Sequence, residues 1–285
     1  MDLGCALPGA RGSGGGGVRR GGGCVPAHPA RCQGPAGSGE PVMTLVFIDV
    51  DGTLIDPPGS EPAFILHLLA SGVLGPRQAL AAGAFAVGRL PALGCAVFKK
   101  NKAYLTGLEV EKVATLAQAF VTRRIGPRLR GWVLDRLADH RRRGEGLVLL
   151  TGTPDFIATP IAHLIGAERV AATRCASVDG RFLPALPSRH PFGTDKVRCA
   201  EAVCRELGAP LEGCAAYADA DSDLALLRSV GRPVAVHPSP GLRRAAWLRG
   251  WEILDPPAMA PHDRRRAFPT GNRGTSSGGR NVGSD

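Results

Sequence analysis

The chain has 285 residues, 44% of them hydrophobic and 21% charged, which excludes a disordered or fibrous protein and allows a full globular core, alone or with a smaller domain. Its formal charge of +10 points first to nucleic acid, but residues before Met43 carry net +2 and residues after Asp255 net +3, leaving +5 between them. With Arg141, Arg142 and Arg143 as the longest basic run there, the middle reads as a basic solvated surface and a nucleic-acid partner is not expected.

Residues 1–42 are Gly, Pro, Ala and Arg without apolar periodicity, and the expectation is a disordered leader. Gly12 to Gly17 formally fits Gly-x-Gly-x-x-Gly, yet no strand precedes it and no helix follows, so it reads as low complexity. Met43 directly precedes an apolar strand and is the expected biological start, the leader then being a misassigned extension. The eight cysteines form no Cys-x-x-Cys pair and have no histidine at zinc-ligand spacing. Free thiols, together with the lack of a secretory apolar stretch, point to the cytoplasm.

The first predicted strand runs from Leu45 to Val50. From about Ser60 to Arg130 no strand pattern occurs, and Val113, Leu116, Ala117 and Phe120 form one face of an amphipathic helix, so 60–130 reads as an inserted helical domain. Its first half, Phe64 to Phe98, holds only Arg77 and Arg89 as charges. Interrupted by Arg89 and Pro91, it fails as a membrane span. A buried bundle interior is the expectation; an apolar pocket or a lipid-facing surface is the alternative, with membrane association not favoured. After the insertion come strands at Leu147 to Leu150, Val170 to Thr173, Ala215 to Ala218 and Pro233 to Val236, a helix with Phe156, Ile157, Ile161, Leu164 and Ile165 inward, and a hairpin turn at Val178-Asp179-Gly180-Arg181. This alternation predicts an α/β fold with a mainly parallel sheet, its core formed by 43–59 and 131–255. Residues 256–285, rich in Pro, Gly, Ser and Arg, read as a disordered tail. Nothing in the chain specifies an oligomeric state.

Four motifs carry chemistry. Phe47-Ile48-Asp49-Val50-Asp51-Gly52-Thr53-Leu54 runs an apolar strand into two aspartates that alternation can project to one side, followed by a glycine that permits a turn. An ordinary Asp-Gly turn is the competing reading. Leu149-Leu150-Thr151-Gly152-Thr153-Pro154 ends a strand in a hydroxyl that can donate to a phosphoryl oxygen without adding charge. Gly193-Thr194-Asp195-Lys196 opens a helix; the lysine is one of five against thirty arginines, its alternative being a solvated helix lysine. Tyr217-Ala218-Asp219-Ala220-Asp221-Ser222-Asp223 places acids just past a strand, suited to magnesium, although Asp219 could instead cap the helix near Leu224.

In this order the four resemble the motifs of the haloacid dehalogenase superfamily, and the insertion after the first strand is similar to its phosphoserine phosphatase-like branch, subfamily IB, with a helical C1-type cap. The resemblance, covering Thr44 to about Leu254, implies a Rossmann-like core and a magnesium-dependent phosphatase. It implies Asp49 as nucleophile and Asp51 as general acid and base, with Thr151, Gly152 and Lys196 holding phosphate. Asp219 and Asp223 would bind magnesium with Asp49 and the main-chain carbonyl of Asp51. Phosphoserine phosphatase itself matches less well: Ile55-Asp56-Pro57-Pro58-Gly59 stands where that enzyme carries a substrate-binding glutamate, and Gly152-Thr153-Pro154 stands where it has Gly-Gly. A small phosphorylated substrate is expected, with an apolar portion if the charge-poor segment lines a pocket. Phosphoryl transfer to another alcohol and a non-catalytic binding protein are the alternatives.

Overall fold

The computed structural model describes residues 43–94 and 96–257. The leader at 1–42 and, apart from Pro256 and Pro257, the tail at 256–285 lie outside the described residues.

Strand β1 (Leu45–Ile48) is four apolar residues, all buried. Continuous burial of this kind belongs to a central parallel strand with helices on both faces. Helices α1 (Ser60–Ala70), α2 (Pro76–Leu93), α3 (Ala96–Lys100) and α4 (Val110–Phe120) follow, with no named strand between Ser60 and Arg130 among the described residues. The chain continues through α5 (Gly131–Arg142), β2 (Gly146–Pro154), α6 (Asp155–Ile165) and β3 (Arg169–Thr173). A small hairpin, β4 (Ser177–Val178) and β5 (Arg181–Phe182), turns through Asp179 and Gly180, both at positive φ as a tight two-residue turn requires. Then come α7 (Thr194–Leu207), β6 (Ala215–Ala218), α8 (Leu224–Ser229), β7 (Arg232–Val236), α9 (Pro240–Arg249) and β8 (Glu252–Leu254). The sequence pattern misses β8, a three-residue edge strand with no fully buried position.

The six-stranded sheet has the order β3-β2-β1-β6-β7-β8, and every pair is parallel. From β1 the chain builds outward through β2 and β3, then crosses to the other side at β6. That reversal opens a crevice at the carboxyl ends of β1 and β6, the usual place for a ligand in such sheets. Alternation along β1 sorts its residues: Val46 and Ile48 join a core with Phe64, Phe120 and Ile157, while Leu45 and Phe47 join one with Ala200, Leu227 and Leu242. The helical insertion therefore packs on one face of the sheet, and α7, α8 and α9 on the other.

Phe64 fastens the insertion. Fully buried, its ring lies 5.3 Å from Phe120 and 5.8 Å from Phe156, joining α1 to α4 and α6. The amphipathic face expected on α4 is present, with Val113, Ala117 and Phe120 buried. The expectation of a buried bundle interior fails over α2, which buries only Phe85 and leaves Leu80 and Val87 74% and 76% exposed. Much of that segment is Ala and Gly, whose small side chains bring little area to bury. Among the described residues no helix is long and apolar enough to cross a membrane.

Truncating Phe64 to alanine is expected to lower the unfolding free energy by about 3–5 kcal/mol, read from urea denaturation at unchanged slope. A loss below roughly 1 kcal/mol would mean that the aromatic cluster is not what holds the insertion.

Candidate active site

Past Ile48 the chain leaves the sheet through Asp49, Val50 and Asp51 and turns at Gly52, whose φ is +90°. A Cβ on Gly52 would lie 2.0 Å from Asp219 Oδ2, so glycine is needed both for the backbone conformation and for the approach of the acid. Arg130, just before α5, holds this turn from beneath. Its Nη1 donates to the carbonyls of Gly52 at 2.5 Å and Thr53 at 3.2 Å, and its Nη2 to Asp56 at 2.5 Å. The motif is thus no ordinary exposed Asp-Gly turn, because both its backbone and its neighbour across the sheet are committed.

Lys196 enters from α7, which begins after Gly193 at φ +60°. It is 2% exposed, with Nζ 2.9 Å from Asp49 Oδ1 and 2.8 Å from Asp223 Oδ1, which removes the solvated-lysine reading. Burial alone would lower its pKa; the Asp49 and Asp223 carboxylates outweigh that and hold it above the usual lysine range. Asp219, just past β6, accepts from Thr53 Oγ1 at 3.1 Å and does not cap α8, whose N-cap position is Asp223. Burial, and then the charge of Asp49, push the Asp219 carboxyl up to about 7. Asp223 is pushed up to about 6 by burial, with Lys196 opposing and Asp49 adding. The Lys196 ion pair is the only polar contact of its buried oxygens among the described residues. Asp221, unassigned from sequence, is exposed and faces the start of α9, where a Cβ on Gly241 would meet its Oδ1 at 2.5 Å.

Asp49, Asp219 and Asp223 each offer an oxygen within 4.8 Å of the others. Three crowded carboxylates answered by one lysine leave surplus negative charge, and the donors are all oxygen, so the cluster fits a hard divalent cation. Asp51 is turned away from it. Its Oδ1 accepts from the backbone N–H of Ser60 at 2.6 Å and its Oδ2 from Thr153 Oγ1 at 3.0 Å. Thr153 in turn lies 3.2 Å from Thr151 Oγ1 and 3.3 Å from Ser60 Oγ. Burial raises the Asp51 pKa; the Ser60 hydrogen bonds oppose this, and Asp49 adds to it. An acid so placed keeps a proton more readily than an exposed one and can pass it on.

Asp49, Asp51, Thr151, Gly152, Lys196 and Asp223 line one cavity of about 400 Å³, while Asp219 stands behind it against Gly52 and Thr53. Sequence reasoning missed Ser60 and Thr153 as partners of Asp51, and Arg130 as the support of the turn. Thr153 lies inside the second motif, a signal that was available; Ser60 and Arg130 are brought in only by folding.

A model of haloacid dehalogenase-like hydrolases matches residues 46–228. The chain is 29% identical over 228 residues to a probable phosphatase of Mycobacterium tuberculosis, covering 78% of each chain. It is 27% identical over 222 residues to a histidinol-phosphatase of Neisseria meningitidis, covering 75% of this chain and 99% of that one. A crystal structure of a Bordetella pertussis protein described as having unknown function superposes with a TM-score of 0.64 at 28% identity, covering 75% of this chain and 99% of the other. With the four motifs gathered in one crevice, these matches lead to one conclusion: the chain belongs to the haloacid dehalogenase-like hydrolases, as a phosphoric monoester hydrolase of that family.

Proposed function

We propose that the protein hydrolyses a small phosphate monoester in two steps through a phosphorylated Asp49, with magnesium bound at the acid cluster. The observation that carries this reading is the Lys196 ammonium held between Asp49 and Asp223, with Asp219 in the same cluster of acids past β6 and Asp51 held separately by Ser60 and Thr153. An oxygen of Asp49 forms the new bond to phosphorus as the bond to the leaving oxygen breaks, and Asp51 gives that oxygen its proton. Asp51, now a carboxylate, takes a proton from water, whose oxygen bonds to phosphorus as the Asp49–phosphorus bond breaks. Phosphate leaves and both aspartates return to their starting states. The Thr151 hydroxyl, the Gly152 backbone and the Lys196 ammonium hold the equatorial oxygens while charge builds on them. Asp49, Asp219, Asp223 and the main-chain carbonyl of Asp51 would hold the metal ion, which when bound would supply positive charge against the repulsion between two anions. Residues 60–130 act as a cap, since Glu61, Ile65 and Lys102 of that insertion form part of the cavity wall. The free thiols of Cys175, Cys199, Cys204 and Cys214 suit a reducing compartment, and the cytoplasm is the proposed location.

Replacing Asp49 by asparagine is expected to abolish magnesium-dependent phosphate release from p-nitrophenyl phosphate, and Asp51→Asn to lower kcat by about 10²–10⁴-fold. Equal release by wild type and Asp49→Asn would end the hydrolase reading. Binding of the cation is tested without turnover. At a magnesium concentration about 100 times its Kd the folded state should gain roughly 2.7 kcal/mol, seen as a rise in Tm that EDTA reverses and that Asp219→Asn diminishes.

A further inference from the structure

The cavity extends past the catalytic groups, and its charges there are unevenly committed. Four carboxylates line it, Asp49, Asp51, Asp223 and Glu61, and only Glu61 lies outside the proposed chemistry. Glu61 is already engaged. Both its oxygens accept from Lys102 Nζ, at 2.6 and 2.5 Å, and its Oε1 also accepts from Tyr104 at 2.8 Å. Lys102 is 4% exposed and Tyr104 is buried, so this pairing is part of the wall and not a loose surface contact.

Lys99 is the opposite case. Exposed to solvent, it lines the same cavity, and its ammonium lies 3.9 Å from the centroid of the Phe192 ring, a cation–π contact. Among the described residues no carboxylate lies within ion-pair distance of it. The wall beside it adds no negative charge. His190 is pushed down to about 4, first by burial and then by Lys102, Lys100 and Lys99, and is neutral at neutral pH. Its Nδ1 is 2.8 Å from Thr173 Oγ1, which itself donates to the Gly152 carbonyl at 2.6 Å.

A leaving group bearing an ammonium would therefore meet the unpaired Lys99 and no uncommitted carboxylate. One bearing a carboxylate, a second phosphate or a hydroxyl would meet the free ammonium of Lys99. We propose that the part of this cavity beyond the phosphate is an anion-reading subsite centred on Lys99, and that the substrate is a phosphate monoester whose leaving group carries a second anionic group and no amine. This rests on the hydrolase reading and narrows it, and it sets the chain apart from phosphatases that act on amino-acid or amino-alcohol phosphates.

Two matched pairs of esters test it. 3-Phosphoglycerate and O-phosphoserine differ by a hydroxyl against an ammonium on one carbon, and phosphoglycolate and phosphoethanolamine by a carboxylate against an ammonium. In each pair the ester without the amine is expected to have the higher kcat/KM by roughly tenfold or more. Lys99→Ala should shrink the ratio between phosphoglycolate and phosphoethanolamine, and Lys99→Glu should shrink it further or reverse it. The subsite is overturned if an amine-bearing ester is turned over as well as its partner, or if Lys99→Glu leaves the ratio unchanged, while p-nitrophenyl phosphate is still hydrolysed by the wild type. Failure to hydrolyse any of the five esters overturns the hydrolase reading, and the subsite with it.

Discussion

Lys196 lies buried between Asp49 and Asp223, 2.9 and 2.8 Å from their oxygens, and the rest of the site is arranged around that charge balance. A carboxylate brought into a crevice loses hydration and resists ionisation; three brought together resist it more. One lysine, fixed on the first turn of α7, offsets part of that cost and keeps Asp49 beside Asp223 without collapse. The remainder of the surplus shows in Asp219 and Asp223, both pushed toward neutral pH. A cluster in this condition has an electrostatic reason to take up a cation.

Backbone geometry makes the crowding attainable. The parallel pairing of β1 with β6 sets their carboxyl ends side by side, and Gly52 lets the turn after β1 pass against the Asp219 carboxylate. Arg130 then fixes that turn by gripping its carbonyls. Asp51 is steered the other way by Ser60 and Thr153, so two aspartates one residue apart end in different surroundings. One stands by a lysine; the other accepts neutral hydrogen bonds with its pKa raised. Environment, not residue type, separates the nucleophile proposed at Asp49 from the proton donor proposed at Asp51.

The helical insertion adds a second layer of charge pairing. Phe64 sets α1 on the sheet, and the start of α1 carries Glu61 toward the segment that bears Lys102 and Tyr104. Because Lys102 and Tyr104 occupy Glu61, the cavity's spare charge beyond the proposed phosphate site is, among the described residues, the positive one on Lys99. The selectivity proposed for the leaving group follows from which charges are already satisfied, not from how many there are.

Most of the fold and of the candidate site could be read from the chain alone. Apolar runs ending in Asp49, Thr151 and Asp219 are local patterns, and local patterns survive in a sequence because strand period, turn chemistry and side-chain type are set by near neighbours. Strand β8 was illegible because three half-exposed residues carry too little periodicity, and α2 was misjudged because apolar composition does not say which face finds a partner. What only tertiary structure decided are the pairings across long separations. Lys196 with Asp49, Arg130 with Gly52, and Glu61 with Lys102 each join elements distant in the chain, and no short-range regularity encodes which charge will meet which. The sequence determined that acids, hydroxyls and a lysine would reach the ends of strands and the start of a helix; the parallel sheet, by bringing those ends to one crevice, decided which charges they would share.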